Sequence, residues 1–117
     1  MRITEVSYEH SLPIKGYGVG FFRIGPDIKW GNLFIFNKEI HSWSGFKNVS
    51  LIVNAQSEID VLLVGTGAKL SDIPSEFRDS VEAIGVSVEA MSTPIACRTY
   101  NVLLEEGRRI GTALLAI

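Results

Sequence analysis

Hydrophobic residues follow different patterns in the two halves of this chain. Up to Trp43, short apolar and aromatic runs alternate with turn residues, which predicts strands at residues 20–24, 28–30, 33–36 and 39–41. The separating pairs are typical turn signals: Gly25-Pro26, Gly31-Asn32 and Asn37-Lys38. We therefore predict a β-meander or a pair of hairpins, with most of the large rings covering one face of a sheet.

The second half alternates between strands and helices. Residues 59–64 are nearly free of polar side chains, which predicts a strand that is covered on both faces. Apolar residues at helical spacing predict a helix over about 74–84. The same reasoning gives the remaining elements: a strand at 86–90, a helix at 93–106 and a strand at about 109–115. This β-α-β-α-β order predicts crossover connections and a partly parallel sheet.

The last predicted helix has signals at both of its ends. Thr93 is expected to cap the first turn with its hydroxyl, and Pro94 suits the first helical position. Gly107 fits the left-handed residue that follows a helix end. Residues 45–57 mix polar and apolar positions, and the sequence leaves a helical turn and an extended connector both open there.

Length and charge narrow the class of protein. The 117 residues correspond to one domain, taken here as 1–117, and eleven basic against thirteen acidic side chains leave a net charge of −2. Basic residues are scattered, which argues against a nucleic-acid partner. No signal peptide, transit peptide or apolar run of bilayer length is seen. A lone cysteine suits a reducing interior, so we expect a cytoplasmic protein.

A glycine-rich turn, Gly65-Thr66-Gly67, follows the first predicted strand of the second half. These residues raise a dinucleotide-binding hypothesis, but Leu70 replaces the third glycine of that motif and the next helix begins several residues later. We interpret them as a tight strand-exit turn and expect no cofactor.

Few side chains suggest catalysis or metal binding. Cys97 lies near a helix start beside Arg98, which would favour a thiolate, but its apolar neighbours favour a packed thiol. His10 and His41 are isolated and form no metal-binding spacing with Cys97. The sequence thus predicts no metal site and no catalytic residues.

Asn101 is unusual because asparagine is a poor helix former. Two roles remain open: its amide locks the backbone near residues 65–67, or it lines a cleft at the carboxyl ends of the parallel strands. The second role defines a candidate small-molecule pocket formed by Gly65, Thr66, Gly67, Arg98 and Asn101.

Several segments together resemble the Mth938-like domain family, formerly domain of unknown function 498. They are IDVLLVGTG at 59–67, GVSVEAM at 85–91 and TPIACRTYNVLLEEGRRIGTAL at 93–114, and the strands around 20–24 and 30–43 are also similar. Within that family the likeness is greatest to mitochondrial assembly factors of respiratory complex I, through the Gly-Thr-Gly turn, the Thr-Pro-x-Ala-Cys helix start and the Glu-Gly-Arg helix exit.

This resemblance implies a three-layer α/β fold with a mixed central sheet. It also implies a non-enzymatic, protein-binding role in the biogenesis of respiratory complex I or another membrane complex, in the cytoplasm or peripheral to the inner membrane. The alternative hypothesis is a small-molecule-binding protein or enzyme that uses the candidate pocket.

Overall fold

Eight strands and three helices form the part of the chain that the computed structural model describes, residues 12–117. In chain order they are β1 Ile14–Gly18, β2 Phe21–Ile24, β3 Asp27–Trp30, β4 Leu33–Phe36, β5 Glu39–Ser42, α1 Ser50–Asn54, β6 Val61–Gly65, α2 Ser75–Glu82, β7 Ser87–Met91, α3 Thr93–Glu105 and β8 Ile110–Leu114.

The strands are divided between a small sheet and a central sheet. Strands β1, β2 and β3 form an antiparallel sheet in that order, whereas the central sheet has the order β5-β4-β8-β6-β7. Strand β6 is parallel to both β7 and β8, and β4 is antiparallel to both β5 and β8. The predicted β-α-β-α-β order and the mixed central sheet are therefore confirmed.

The central sheet is the middle of three layers. One face packs against α1 and α2 in a cluster that includes Phe34, Leu62, Val64, Phe77 and Val81. The other face packs against α3 and the small sheet in a cluster that includes Phe22, Ile35, Leu63, Tyr100 and Leu114. Because successive residues of a strand point to opposite faces, the apolar run of β6 supplies both clusters.

The sequence predicted that most of the large aromatic rings of the first half cover one face of a sheet, and this prediction was wrong. Phe34 belongs to the cluster beside α1 and α2, and Phe22 belongs to the cluster beside α3 and the small sheet. Trp30 lies at the surface with 69% of its area exposed. The cause is the turn at Gly31, whose φ is 85°, because it carries the chain from the small sheet into the central sheet. Strand β1 was not predicted.

The segment left open by the sequence contains a helical turn. Helix α1 spans only Ser50–Asn54, and its Ile52 is fully buried in the cluster that also contains Phe77 and Val81 of α2. The loop before this helix is held by the indole of Trp43, which donates a hydrogen bond of 2.9 Å to the carbonyl oxygen of Asn48.

The ends of α3 agree with one sequence signal and correct another. Gly107 adopts a φ of 74°, and the N–H groups of Gly107 and Arg108 bind the carbonyl oxygens of Leu104 and Leu103. This confirms the glycine stop. The Thr93 prediction was wrong, because Ser92 is the residue that precedes the first turn and the Thr93 hydroxyl binds other elements.

Asn101 connects α3 to the small sheet. Its side-chain oxygen accepts the N–H of Ile14 at 2.9 Å, and its side-chain nitrogen donates to the carbonyl oxygen of the same residue at 2.7 Å. The amide thus pairs with the backbone of β1 much as a neighbouring strand would. This explains why a poor helix former is found in α3.

We predict that Asn101→Ala lowers the free energy of unfolding by about 1–3 kcal/mol, because two half-buried backbone groups of Ile14 lose their partner. Denaturant unfolding measures this difference. The control is Val102→Ala, which changes an exposed neighbour on the same helix and should cost no more than about 0.5 kcal/mol. Equal losses for the two variants would contradict the proposed role of the amide.

Candidate functional site

The carboxyl ends of β6 and β8 meet the start of α3 at one hydroxyl group, that of Thr93. This oxygen accepts the N–H of Gly67 at 2.8 Å and donates to the carbonyl oxygen of Leu115 at 2.8 Å. The backbone N–H of Thr93 also donates to the carbonyl oxygen of Gly67 at 2.7 Å. We call Gly65, Thr66, Gly67, Thr93 and Leu115 the strand-exit cluster.

Thr66 closes the loop that leaves β6. Its N–H donates to the carbonyl oxygen of Met91 at 2.9 Å, which extends the pairing of β6 with β7. Its buried hydroxyl donates to the carbonyl oxygen of Lys69 at 2.8 Å and accepts the N–H of Ser71 at 3.0 Å. The polar atoms of Thr66 are therefore used within the loop itself.

Gly65 and Gly67 are required in this turn for different reasons. A Cβ on Gly65 would lie 2.8 Å from the Thr93 oxygen and 2.9 Å from a methyl carbon of Leu114, so no side chain fits there. Gly67 instead has open space around it but a φ of 103°, which favours glycine. Helix α2 begins only at Ser75, so its amino-terminal end is not at this turn.

The structure brings together only part of the candidate pocket. Gly65, Thr66 and Gly67 lie in the strand-exit cluster, whereas the amide of Asn101 is bound to Ile14 rather than to residues 65–67. Arg98 is exposed on α3. Two surface clefts of the described part of the chain, with volumes of about 490 and about 610 Å³, have other linings.

We predict that Thr93→Val lowers the free energy of unfolding by about 2–4 kcal/mol, because the N–H of Gly67 and the carbonyl of Leu115 both lose a partner while the side-chain volume is kept. Chemical denaturation is the measurement. Thr93→Ser retains the hydroxyl and should recover most of this loss. A Thr93→Val variant as stable as the serine variant would show that the hydroxyl is dispensable.

Cys97 is packed rather than exposed to solvent. It is 3% exposed and lies in the cluster that packs α3 and the small sheet against the central sheet. Burial raises the pKa of its thiol to about 12, and the nearby charge of Arg98 lowers it only in part. Burial likewise raises the pKa of Tyr100, whose hydroxyl has no hydrogen-bond partner in the described structure. These properties suit a structural thiol and not a nucleophile.

This raised thiol pKa predicts a loss of stability at alkaline pH. The ordinary value is 9.0, so above about pH 9 the unfolded chain releases a proton that the folded chain keeps. The thiol therefore contributes to the free energy of unfolding below pH 9. This contribution should fall by about 1.4 kcal/mol per pH unit up to about pH 11. We expect the unfolding free energy of Cys97→Ala to decline less steeply than that of the unchanged chain; parallel declines would contradict this.

The histidines provide no metal site in the part of the chain that is described. His41 binds a carboxylate oxygen of Glu39 at 3.0 Å at the surface, and His10 lies outside the described residues. Among residues 12–117, no group of three or more His, Cys, Asp or Glu side chains is placed to hold a metal ion.

An aromatic cleft between the loop after β5 and helix α2 was missed by the sequence analysis. Its floor is made by Phe46 and Phe77, whose ring centres are 5.1 Å apart, and Trp43 packs behind both rings. The cleft has a volume of about 490 Å³, and its further lining is Lys47, Val49, Pro74, Glu76 and Ser80. The sequence signal was weak, because Phe46 lies in the segment that the pattern left open.

Large apolar side chains are also exposed in the small sheet. Trp30 is 69% exposed, and Val19, in the turn between β1 and β2, is 82% exposed. Tyr17 and Ile28 of the same sheet are partly exposed as well. The other exposed large apolar side chains of the described residues lie outside the small sheet. They are Leu70, Ile95 and Val102.

The chain belongs to the family described as "Protein of unknown function (DUF498/DUF598)", whose model matches residues 14–115. An uncharacterized protein of Rhodobacter capsulatus is 43% identical over 98% of this chain and 93% of its own length. The rat NADH dehydrogenase [ubiquinone] 1 alpha subcomplex assembly factor 3 is 35% identical over 98% of this chain. This chain spans 66% of the length of that rat protein.

Solved structures agree with this assignment. A crystal structure described as an outer membrane protein of Bartonella henselae has a TM-score of 0.83 and 33% identity, covering 90% of this chain and 94% of its own. A Mth938-like domain from Bordetella pertussis has a TM-score of 0.74 and 27% identity, covering 90% and 85%. The Mth938-like fold is therefore confirmed. Among the described residues, no helix is long and apolar enough to cross a membrane.

Proposed function

We propose that this member of the DUF498/DUF598 family is a non-enzymatic assembly factor that binds a protein component of respiratory complex I or of another membrane complex. The main support is the 35% identity to complex I assembly factor 3, which extends over 98% of this chain. An alignment of this extent covers the strand-exit cluster, both core clusters and the aromatic cleft.

The aromatic cleft is the surface that we assign to the protein partner. Half-buried Phe46 offers apolar area beside the buried ring of Phe77, while exposed Lys47 and Glu76 supply opposite charges among the lining residues. A central apolar recess with polar residues around it is typical of the part of a protein interface that provides most of the binding energy. A protruding apolar side chain of the partner, flanked by polar groups, would fit it.

A small-molecule site at the strand-exit cluster receives less support. The hydroxyls of Thr66 and Thr93 and the amide of Asn101 all bind backbone groups of this chain. A ligand would have to replace these hydrogen bonds, which together hold the ends of three strands and a helix. We therefore prefer protein binding at the aromatic cleft to ligand binding or catalysis at the strand-exit cluster.

For its location, we propose the cytoplasm with peripheral attachment to the inner membrane. A factor that helps to build a membrane complex must meet its partner where that complex is inserted.

We predict that Ser80→Arg reduces capture of the partner about tenfold or more, because a long charged side chain would occupy the cleft. Affinity purification of the full chain from its native cell, with quantification of the enriched proteins, is the measurement. Ser80 is exposed on α2, so the fold should tolerate the change.

The matched control is Asp79→Arg, which places the same side chain at an exposed neighbouring position outside the lining of the cleft. Equal capture by both variants and the unchanged chain would show that the cleft is not the contact surface. If the unchanged chain enriches no respiratory-complex or membrane-biogenesis component over a control bait, the assembly function itself is wrong.

A further inference from the structure

We propose that the small sheet docks on an anionic lipid bilayer through its outer face, defined as Phe21, Arg23, Ile28 and Trp30, together with the adjoining turn residue Val19. This inference rests on the proposed peripheral location and names the surface and the chemistry that would produce it. The surface lies on different elements from the aromatic cleft, so one molecule could hold a lipid surface and a protein partner together.

Strand register places the four residues on one face. Phe21 is opposite Trp30, and Arg23 is opposite Ile28. Residues that are opposite in an antiparallel pair project to the same side, and so do residues two apart on one strand. The alternate residues of β2, Phe22 and Ile24, are 1% exposed and point into the core. The outer face is therefore the side of the small sheet turned away from α3 and the central sheet.

Backbone contacts and glycines fix the apolar end of this face. The ring of Phe21 occupies the space that a Cβ on Gly18 would need, and its centre is 5.3 Å from that of Trp30. Gly20 donates to the carbonyl oxygen of Ile117 at 2.8 Å and accepts the N–H of Gly31 at 2.9 Å. Because the turn is held in this way, Val19 and Trp30 remain at the surface without refolding, which lowers the entropy cost of docking.

Charge favours an anionic surface. On β2 and β3 the outer face carries one basic side chain, Arg23, and no acidic side chain, because Lys29 and Asp27 are opposite the core-facing residues Phe22 and Ile24. The whole chain, in contrast, has a net charge of −2. Each basic residue near an anionic bilayer contributes about 1 kcal/mol of attraction. Exposed tryptophan favours the headgroup region, where its ring is buried while its N–H stays hydrated.

The small size of this surface favours a bilayer over a protein as the occupant. A standard protein interface uses about 20–30 residues from each side. The three strands of the small sheet contain only 13 residues, and several of them point into the core. A bilayer needs no matching shape, because a few inserted apolar side chains and nearby basic groups suffice for reversible binding.

The test is binding of the full chain to vesicles at about 0.1 M salt, where opposite charges near a surface still attract. One set of vesicles is phosphatidylcholine alone and the other is an equal mixture of phosphatidylcholine and phosphatidylglycerol. We expect sedimentation with the mixed vesicles only, together with a shift of tryptophan emission to shorter wavelength. Trp30 is the natural reporter, because the second tryptophan, Trp43, is 3% exposed in the core.

Two variants examine the apolar part of the surface. Trp30→Ala and Val19→Ser should each weaken binding to the mixed vesicles about tenfold, since each removes an inserted side chain. The matched control is Leu70→Ser, because Leu70 has a similar exposed fraction of 66% and lies outside the small sheet. Val19→Ser changes a turn residue that is 82% exposed, so its result does not depend on core packing.

The charge argument has its own variant. Arg23→Gln should weaken binding to the mixed vesicles several-fold, whereas Arg98→Gln, at an exposed position on α3, should not. Absence of binding to the mixed vesicles, equal binding to both vesicle types, or an equal loss with Leu70→Ser would each overturn the proposal.

Failure of membrane docking is distinguishable from failure of the proposed function. If Trp30→Ala and Val19→Ser bind vesicles normally but lose the captured partner in detergent solution, the outer face is a protein interface and the lipid proposal is wrong. If they lose vesicle binding and keep the partner, the two surfaces act separately, as proposed. If the unchanged chain binds mixed vesicles but captures no membrane-complex component, only the assembly function fails.

Discussion

The hydroxyl of Thr93 joins the parts of this fold that carry its topology. Three adjacent parallel strands need two crossover connections, and their carboxyl ends must be held where helices begin. One buried oxygen binds the exit of β6 through Gly67 and the exit of β8 through Leu115, while its own residue begins α3. Because Gly65 has no side chain, α3 can approach β6 closely enough to make these contacts.

Hydrogen bonds within the fold also occupy the polar side chains around the start of α3. Thr66, Thr93 and Asn101 satisfy backbone groups that would otherwise be buried without partners, and such groups are costly to leave unpaired. The two surfaces that we propose for interaction lie instead on opposite sides of the central sheet, at the aromatic cleft and the outer face of the small sheet. Cys97 and Tyr100 lie in the cluster that packs α3 and the small sheet against the central sheet.

The two surfaces would serve the proposed assembly function separately. The aromatic cleft is formed by α2 and the loop before α1, whereas the outer face is formed by β2 and β3. Neither surface depends on a movable element, since the loop is held by Trp43 and the turn at Val19 is held by the backbone of Gly20. A rigid domain with separate faces can keep a partner near a membrane without changing it chemically.

Local sequence signals specify several elements of this fold. Apolar alternation and turn residues gave strands β2 to β5, the apolar run gave β6, and Gly107 gave the end of α3. Other features depend on residues distant in the chain. Only tertiary structure separates the first five strands between two sheets, directs the Thr93 hydroxyl to Leu115 and pairs Asn101 with Ile14, 87 positions away. Local patterns cannot specify these contacts, because a hydrogen-bonding side chain takes the partner that packing brings within reach.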